Sequence, residues 1–374
     1  MKTSDNKSFK NNLFSFATSE LSQDAFIAWA LNWINGDRSM PLYEMAADLL
    51  KTMGETDDSI SDGIIIKTQL KKIDILVTVK RQGCNRAIII EDKTYTSEHD
   101  DQIARYRDEI MKLPTDVKTE LCIDDKVAIR TVYLKTGFMY DYDKQVKSDV
   151  KVGGWQLLEL LRKFRDKNEI LDDYIAFLAN KLNWYVDHQD FTVPENIKNH
   201  VIAQYRLMRS FFPEALWHGK GELYKVYDGS NKDGSPWTEM VIYNGTFNKS
   251  EDENKRNKYR IFWRIDKDSE GSYISLRFYD RYNKNDEYER ISHLEEYGKL
   301  KRIMSEVFEK IPKELSFKVE TVIPKKDKSR CKEAEIFNWH IDKYLVDWKT
   351  HGSKVVSDIR LVNELFLKGL GFTQ

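Results

Sequence analysis

The 374 residues predict an α/β fold: a core ordered helix, three strands, helix, strand, followed by a part of α+β texture. Three observations carry that expectation. Apolar residues recur at helical spacing between residues 22 and 53. Three strand-like runs follow between residues 63 and 93, the last two separated by a short turn. Beyond about residue 196 the texture changes to aromatic-rich strands.

In the first helix, Ser22–Ile34, the residues Phe26, Ile27, Trp29, Ala30 and Trp33 give a broad apolar face, and Ser22 is the expected N-cap. A second helix is expected over Leu42–Met53, ending before Gly54. Strands are expected at Gly63–Leu70, Lys72–Lys80 and Ala87–Lys93, and the turn Arg81–Arg86 makes the last two a hairpin. A helix then runs from Glu98 to Leu113, with Ser97 as its cap and Pro114 at its end. Val127–Leu134 reads as a strand buried on both faces. Helices near Trp155–Phe164 and Leu171–Val186 complete this part, and Asp190, Pro194 and Asn196 mark a boundary. The second part carries a helix (Ile197–Ser210), then strands at Glu222–Tyr227, Trp237–Tyr243, Tyr259–Ile265 and Tyr273–Tyr279. Helices are expected near Leu294–Lys310, Ala334–Val346 and Ser357–Leu367.

Composition excludes several classes. Sixty basic against 61 acidic residues leave a formal charge of −1, so nucleic acid would have to be bound by local patches. The cysteines Cys84, Cys122 and Cys331 form no CxxC pair, which argues against structural zinc and a disulfide framework. No apolar run reaches about 18 residues, and Met1–Asn12 does not read as a signal peptide. The expectation is a cytoplasmic protein without a membrane partner.

The chemistry concentrates on two neighbouring strands. In Lys72–Val79, Ile73, Ile75, Val77 and Val79 are expected on one face and Asp74 on the other, beside Leu76 and Thr78. An acid between two isoleucines is expensive to bury without a partner or an ion. The next strand ends Glu91-Asp92-Lys93, with Glu91 and Lys93 on one side and Asp92 on the other, where a side-chain role is less expected. A hairpin brings Asp74 and Glu91 together, and two carboxylates so placed call for a cation. Hard oxygen ligands suit Mg²⁺ or Mn²⁺. An adjacent lysine holds, or helps to deprotonate, an attacking water. The competing account is a solvated ion-pair cluster at a strand end.

Asp74 followed by Glu91-Asp-Lys93 resembles the PD-(D/E)XK nuclease superfamily. Gln102 and Tyr106, in Gln-Ile-Ala-Arg-Tyr, resemble the QxxxY motif of its RecB-like branch. The resemblance covers residues 13–140 and implies a restriction-endonuclease-like αβββαβ core with a mixed sheet. It further implies that Asp74 and Glu91 bind metal, that Lys93 serves catalysis, and that Glu20 adds a metal or water ligand. Gln102 and Tyr106 would position the site. The implied activity is phosphodiester hydrolysis, of DNA rather than RNA, leaving 5′-phosphate and 3′-hydroxyl ends. Restriction, repair and phage defence are among its settings. The expected domains are a nuclease-like 13–190 and an accessory α+β 191–374 that binds substrate or a partner. A homodimer or a regulatory protein partner stays open. The alternative is a catalytically silent recognition module.

In the second part, Arg260, Phe262 and Arg264 alternate with core aliphatics, as do Tyr273, Ser275, Arg277 and Tyr279. A solvated sheet face is the favoured reading, a nucleic-acid track the other. The loop Lys325–Arg330 is a further candidate phosphate contact.

Overall fold

Two helices, α1 (Glu20–Asn32) and α2 (Pro41–Thr52), open the architecture. The computed structural model describes residues 12–372 except 18, 56–59, 96–100, 218, 220, 247–257, 313 and 325–330. Ser97, the start of the expected helix at Glu98, and the Lys325–Arg330 loop therefore lie outside the described residues. The chain divides into two compact units, Met1–Tyr185 and Val186–Gln374. No helix among the described residues is long and apolar enough to cross a membrane.

In the first unit, α1 and α2 lead into strands β1 (Ile60–Leu70), β2 (Ile73–Arg81) and β3 (Arg86–Lys93). Helices α3 (Gln102–Met111) and α4 (Thr115–Glu120) follow, then β4 (Ala128–Lys135), β5 (Val150–Gly153), α5 (Gly154–Arg162) and α6 (Glu169–His188). The five strands lie in chain order. Antiparallel pairing joins β1, β2 and β3, whereas β4 and β5 are added in parallel. This mixed sheet between helices is the expected restriction-endonuclease-like α/β arrangement.

The β1–β2 turn is tight. Lys71 and Lys72 both take left-handed backbone angles, as a two-residue hairpin loop requires, and Leu70 pairs with Ile73 across it. That turn places Asp74 one residue into β2. The helix α1 begins two residues before Ser22, and its N-cap is Ser19, whose hydroxyl contacts that of Ser22 at 3.1 Å. The serine that looked like a cap belongs to the first turn.

Alternation along the strands separates two cores. Ile75, Val77, Val79, Ile88, Ile90, Val132 and Leu134 pack against α1, α2, α5 and α6. Leu76, Ala87 and Ile89 pack on the other side with Tyr106 and Ile110 of α3. Ile73, expected with Ile75, joins this second cluster instead, because the strand starts there as it leaves the turn.

The second unit contains α7 (Pro194–Asn199), α8 (Val201–Phe211), β6 (Leu216–Trp217), β7 (Lys225–Ser230), β8 (Pro236–Thr246), β9 (Lys258–Asp268) and β10 (Gly271–Asp280). Then come α9 (Glu287–Lys310), α10 (Val319–Val322), β11 (Glu333–His340), α11 (Asp342–Leu345) and α12 (Trp348–Gly369). Its sheet runs β11-β10-β9-β8-β7-β6. Trp263 of β9 anchors the helix-covered face, donating to Asn363 of α12 at 2.9 Å and packing on Phe212 and Phe337.

Two expectations fail here. Residues 334–346 do not form one helix; most of the run is strand β11, antiparallel to β10. The register slips at Ile336, so Ala334 and Phe337 fall three apart, as on one helix face, although the segment is extended. The second failure concerns the Arg-rich face, which is not solvated. Arg264 and Arg277 are each only 6% exposed, and carboxylates neutralise them. Arg264 meets Asp266 at 2.7 Å and Glu239 at 3.2 Å, while Arg277 meets Glu335 at 3.3 Å and also pairs with Glu333. Cross-strand register explains the pairing, since Glu239 lies directly opposite Arg264.

Ile90 is fully buried between α1 and the sheet. Ile90→Ala is expected to destabilise the first unit by ~2–5 kcal/mol, read as a lower urea midpoint by circular dichroism. An unchanged midpoint would contradict the assigned facing of β3.

Candidate active site

Strand β3 carries its apolar run, Ala87 to Ile90, into a fully desolvated sheet and ends in three charged residues that stay buried. The two-residue period then sends them to different places. Glu91 and Lys93 follow Ile89 toward α3. Asp92 follows Ile90 toward α1, where Gln23 donates its side-chain amide to it.

Asp74 comes from the neighbouring strand. Ile75 faces Ile90, so the register continued by one residue sets Asp74 against Glu91. The Asp74 carboxylate accepts the backbone amide of Asp92 at 2.9 Å, which locks it to the end of β3. Lys93 lies between the two acids, ion-paired with Glu91 and with its Nζ 3.6 Å from Asp74. All three are shielded, with side-chain exposures of 18% for Asp74, 1% for Glu91 and 10% for Lys93.

The electrostatics follow from that crowding. Burial, and then the charge of Asp74, push Glu91 up from 4.5 to about 7 against the opposing pull of Lys93. Burial alone would lower the Lys93 ammonium, but Glu91 and Asp74 outweigh it and hold the group above its ordinary value.

The other expected residues surround this centre. Tyr106 of α3 is buried against the same face, and burial followed by the charges of Glu91 and Asp74 pushes its phenol up to about 12. Gln102 opens α3 and donates to the Tyr106 hydroxyl at 3.3 Å. Glu20 opens α1 and accepts the backbone amide of Thr94 at 2.9 Å, close enough for its charge to act on Lys93. The six sequence candidates therefore gather around one strand end.

Several neighbours were missed. Gln23 and Asp24 sit one turn into α1. Gln23 bridges Asp92 and Thr136, accepting the Thr136 hydroxyl at 2.6 Å. Asp24 accepts Gln69 at 2.9 Å, and burial plus the nearby Asp74 raise it from 3.8 to about 6. Burial, and next Asp24, raise Asp92 well above the carboxylate range. Lys135 lies in register with Lys93 on β4, fully buried and 3.9 Å from Asp143, and burial lowers its ammonium. A polar pair such as Gln23-Asp24 inside an apolar helical face was the signal available for α1. Lys135 resembled an ordinary strand-end lysine.

The donor set suits a hard divalent cation. Both carboxylate oxygens of Glu91 are buried without a hydrogen bond, leaving Lys93 as its ionic partner. Among the described residues no three His, Cys, Asp or Glu side chains close around a common point. Two carboxylates with water and a substrate phosphate completing the shell is the pattern expected for Mg²⁺.

Residues 11–174 match the family model of the PD-(D/E)XK nuclease superfamily. Over that stretch the chain is similar to this superfamily. No curated protein matches the chain. Among solved structures, the MspJI restriction endonuclease in complex with a 27-mer oligonucleotide is similar at 14% identity, with a TM-score of 0.22. The similarity spans 43% of this chain and 36% of that one, little more than a third of its length. Within the matched stretch, Asp74 and the triplet Glu91-Asp92-Lys93 share one end of the sheet.

Glu91 takes up its proton near pH 7 in the folded domain and near 4.5 when exposed. Raising the pH through that window ionises a buried acid, so its contribution to stability falls with rising pH. In EDTA, Glu91→Gln is expected to gain in melting temperature on the wild type between about pH 4.5 and 7.5. A difference that stays flat across the window would count against a raised Glu91.

Proposed function

We propose that residues 13–190 act as a divalent-metal-dependent nuclease that hydrolyses phosphodiester bonds, in DNA in preference to RNA. Residues 191–374 serve as an accessory domain that binds substrate or a partner. One observation carries the reading: Asp74 and Glu91, from adjacent strands, converge with Lys93 in a shielded pocket where both Glu91 oxygens are buried and Lys93 is the ionic partner of both acids.

In this reading Asp74 and Glu91 hold Mg²⁺ or Mn²⁺. When bound, the ion supplies Lewis-acid charge to the phosphoryl group and makes water a nucleophile near neutral pH. The residues of the chain provide the rest. Lys93, kept charged by its acidic neighbours, orients the attacking water and offsets charge as it builds on the phosphoryl oxygens. A raised ammonium is a poor base, which favours this donor role over proton abstraction. Tyr106, steadied by Gln102, borders the pocket and restricts the side chains beside it. Glu20 fixes the chain just past Lys93 by holding the Thr94 amide. A cytoplasmic setting in restriction, repair or phage defence goes with this reading.

The test incubates the purified protein with plasmid, linear duplex, single-stranded DNA and RNA, in Mg²⁺, Mn²⁺ or EDTA. DNA cleavage is expected with either metal and not with EDTA. Lys93→Ala and Glu91→Ala are each expected to slow it by about 100-fold or more. Binding of nucleic acid with no cleavage under any metal would replace the enzyme with a silent recognition module. Gln102→Ala is expected to lower the rate by a smaller factor than Lys93→Ala, measured in the same assay.

A further inference from the structure

Past β4 the chain presses onto the segment that follows Lys93. Gly137 permits this: a Cβ there would lie 1.7 Å from the carbonyl oxygen of Thr94. The next residue along β3's exit, Tyr95, is 60% exposed although it stands only two positions from Lys93. Its ring is braced from one side by Lys181 of α6, whose Nζ lies 4.2 Å from the ring centroid. Burial draws Lys181 down to about 8, which leaves it largely charged at neutral pH.

More aromatic surface adjoins it. Tyr185 is close enough to Tyr95 for the two phenols to influence each other, and its hydroxyl is tied to the Phe138 backbone. Its ring packs on Phe138 at 6.0 Å and on the half-exposed Trp184 at 5.4 Å. A large ring left in water two residues past Lys93, at the same end of the sheet, and braced by a cation, is a platform for stacking.

We propose that Tyr95, backed by Lys181 and flanked by Tyr185, stacks an unpaired nucleobase at the strand end that carries the acid–lysine centre, so that the protein takes single-stranded or locally unpaired nucleic acid. This deepens the nuclease reading and rests on it. Stacking needs the flat face of a base, which a continuous duplex hides inside its own stack. Lys181 adds positive charge where the backbone of such a strand would pass. Any base has a stacking face, so the platform sets strandedness rather than sequence.

The test uses the full chain in EDTA with oligonucleotides carrying 2-aminopurine, whose fluorescence falls on stacking. Single-stranded DNA, single-stranded RNA and duplex DNA of one sequence are compared. Wild type is expected to quench the probe in a single strand and to bind it more tightly than the duplex. Tyr95→Ala is expected to abolish the quenching and weaken single-strand binding by about 10-fold. Tyr95→Phe keeps the ring and is expected to retain both. Because Tyr95 is exposed, the melting temperature should not change, and this is measured alongside. Quenching by DNA but not RNA, or by both, supports the platform and identifies the strand it takes. Tight single-strand binding that survives Tyr95→Ala overturns the platform and leaves the nuclease reading standing. A wild type that neither binds nor cleaves any nucleic acid overturns both.

Discussion

The alternation of side chains along β3 governs the whole first unit. A strand buried on both faces must send each charged residue at its end into one core or the other. Glu91 and Lys93 go one way and Asp92 the other, and all three stay buried. Two carboxylates this close and this dry are tolerable only with positive charge between them, and Lys93 supplies it. A divalent ion at the same acids would relieve the lysine of that structural duty and leave it available to the substrate.

The opposite side of the strand end is built as a support. Gln23 is shared among Asp92, Thr136 and Thr94, and Tyr174 donates to it at 3.3 Å. A network with so many members on α1, β3, β4 and α6 resists rotation of any one of them. The backbone of β3 past Ile90 is thereby fixed from behind, which keeps Glu91 and Lys93 at a constant angle to Asp74. Positioning of this kind matters because small displacements of reacting groups cost large factors in rate.

Much of this was legible in the residues. The order of elements through β4, apart from the short α4, followed from apolar periodicity, and the acid–acid–lysine set from an aspartate interrupting an isoleucine-rich strand. Glu20, Gln102 and Tyr106 were found through resemblance, and they lie around the same strand end. What escaped notice depended on three-dimensional packing. Lys135 looked like any terminal lysine until β4 was seen in parallel register with β3. The four residues of β5 were too few to display a period. Strand β11 concealed itself because one bulge at Ile336 broke its two-residue alternation. Asp24 sits within the apolar stretch of α1, where an acid reads as an irregularity until Gln69 and Asp92 are seen beside it.

The arginines of the second unit have a wider consequence. Arg260, Arg264 and Arg277 each lie against carboxylates, and Arg264 also rests on Trp237 at 4.5 Å. Charges compensated at such short range project almost no field beyond the protein surface. A polyanion drifting nearby would sense little from this face, however basic its strands read when spelled out. Recruitment from a distance would have to be the work of other lysines and arginines, and this sheet is better suited to stiffness than to capture.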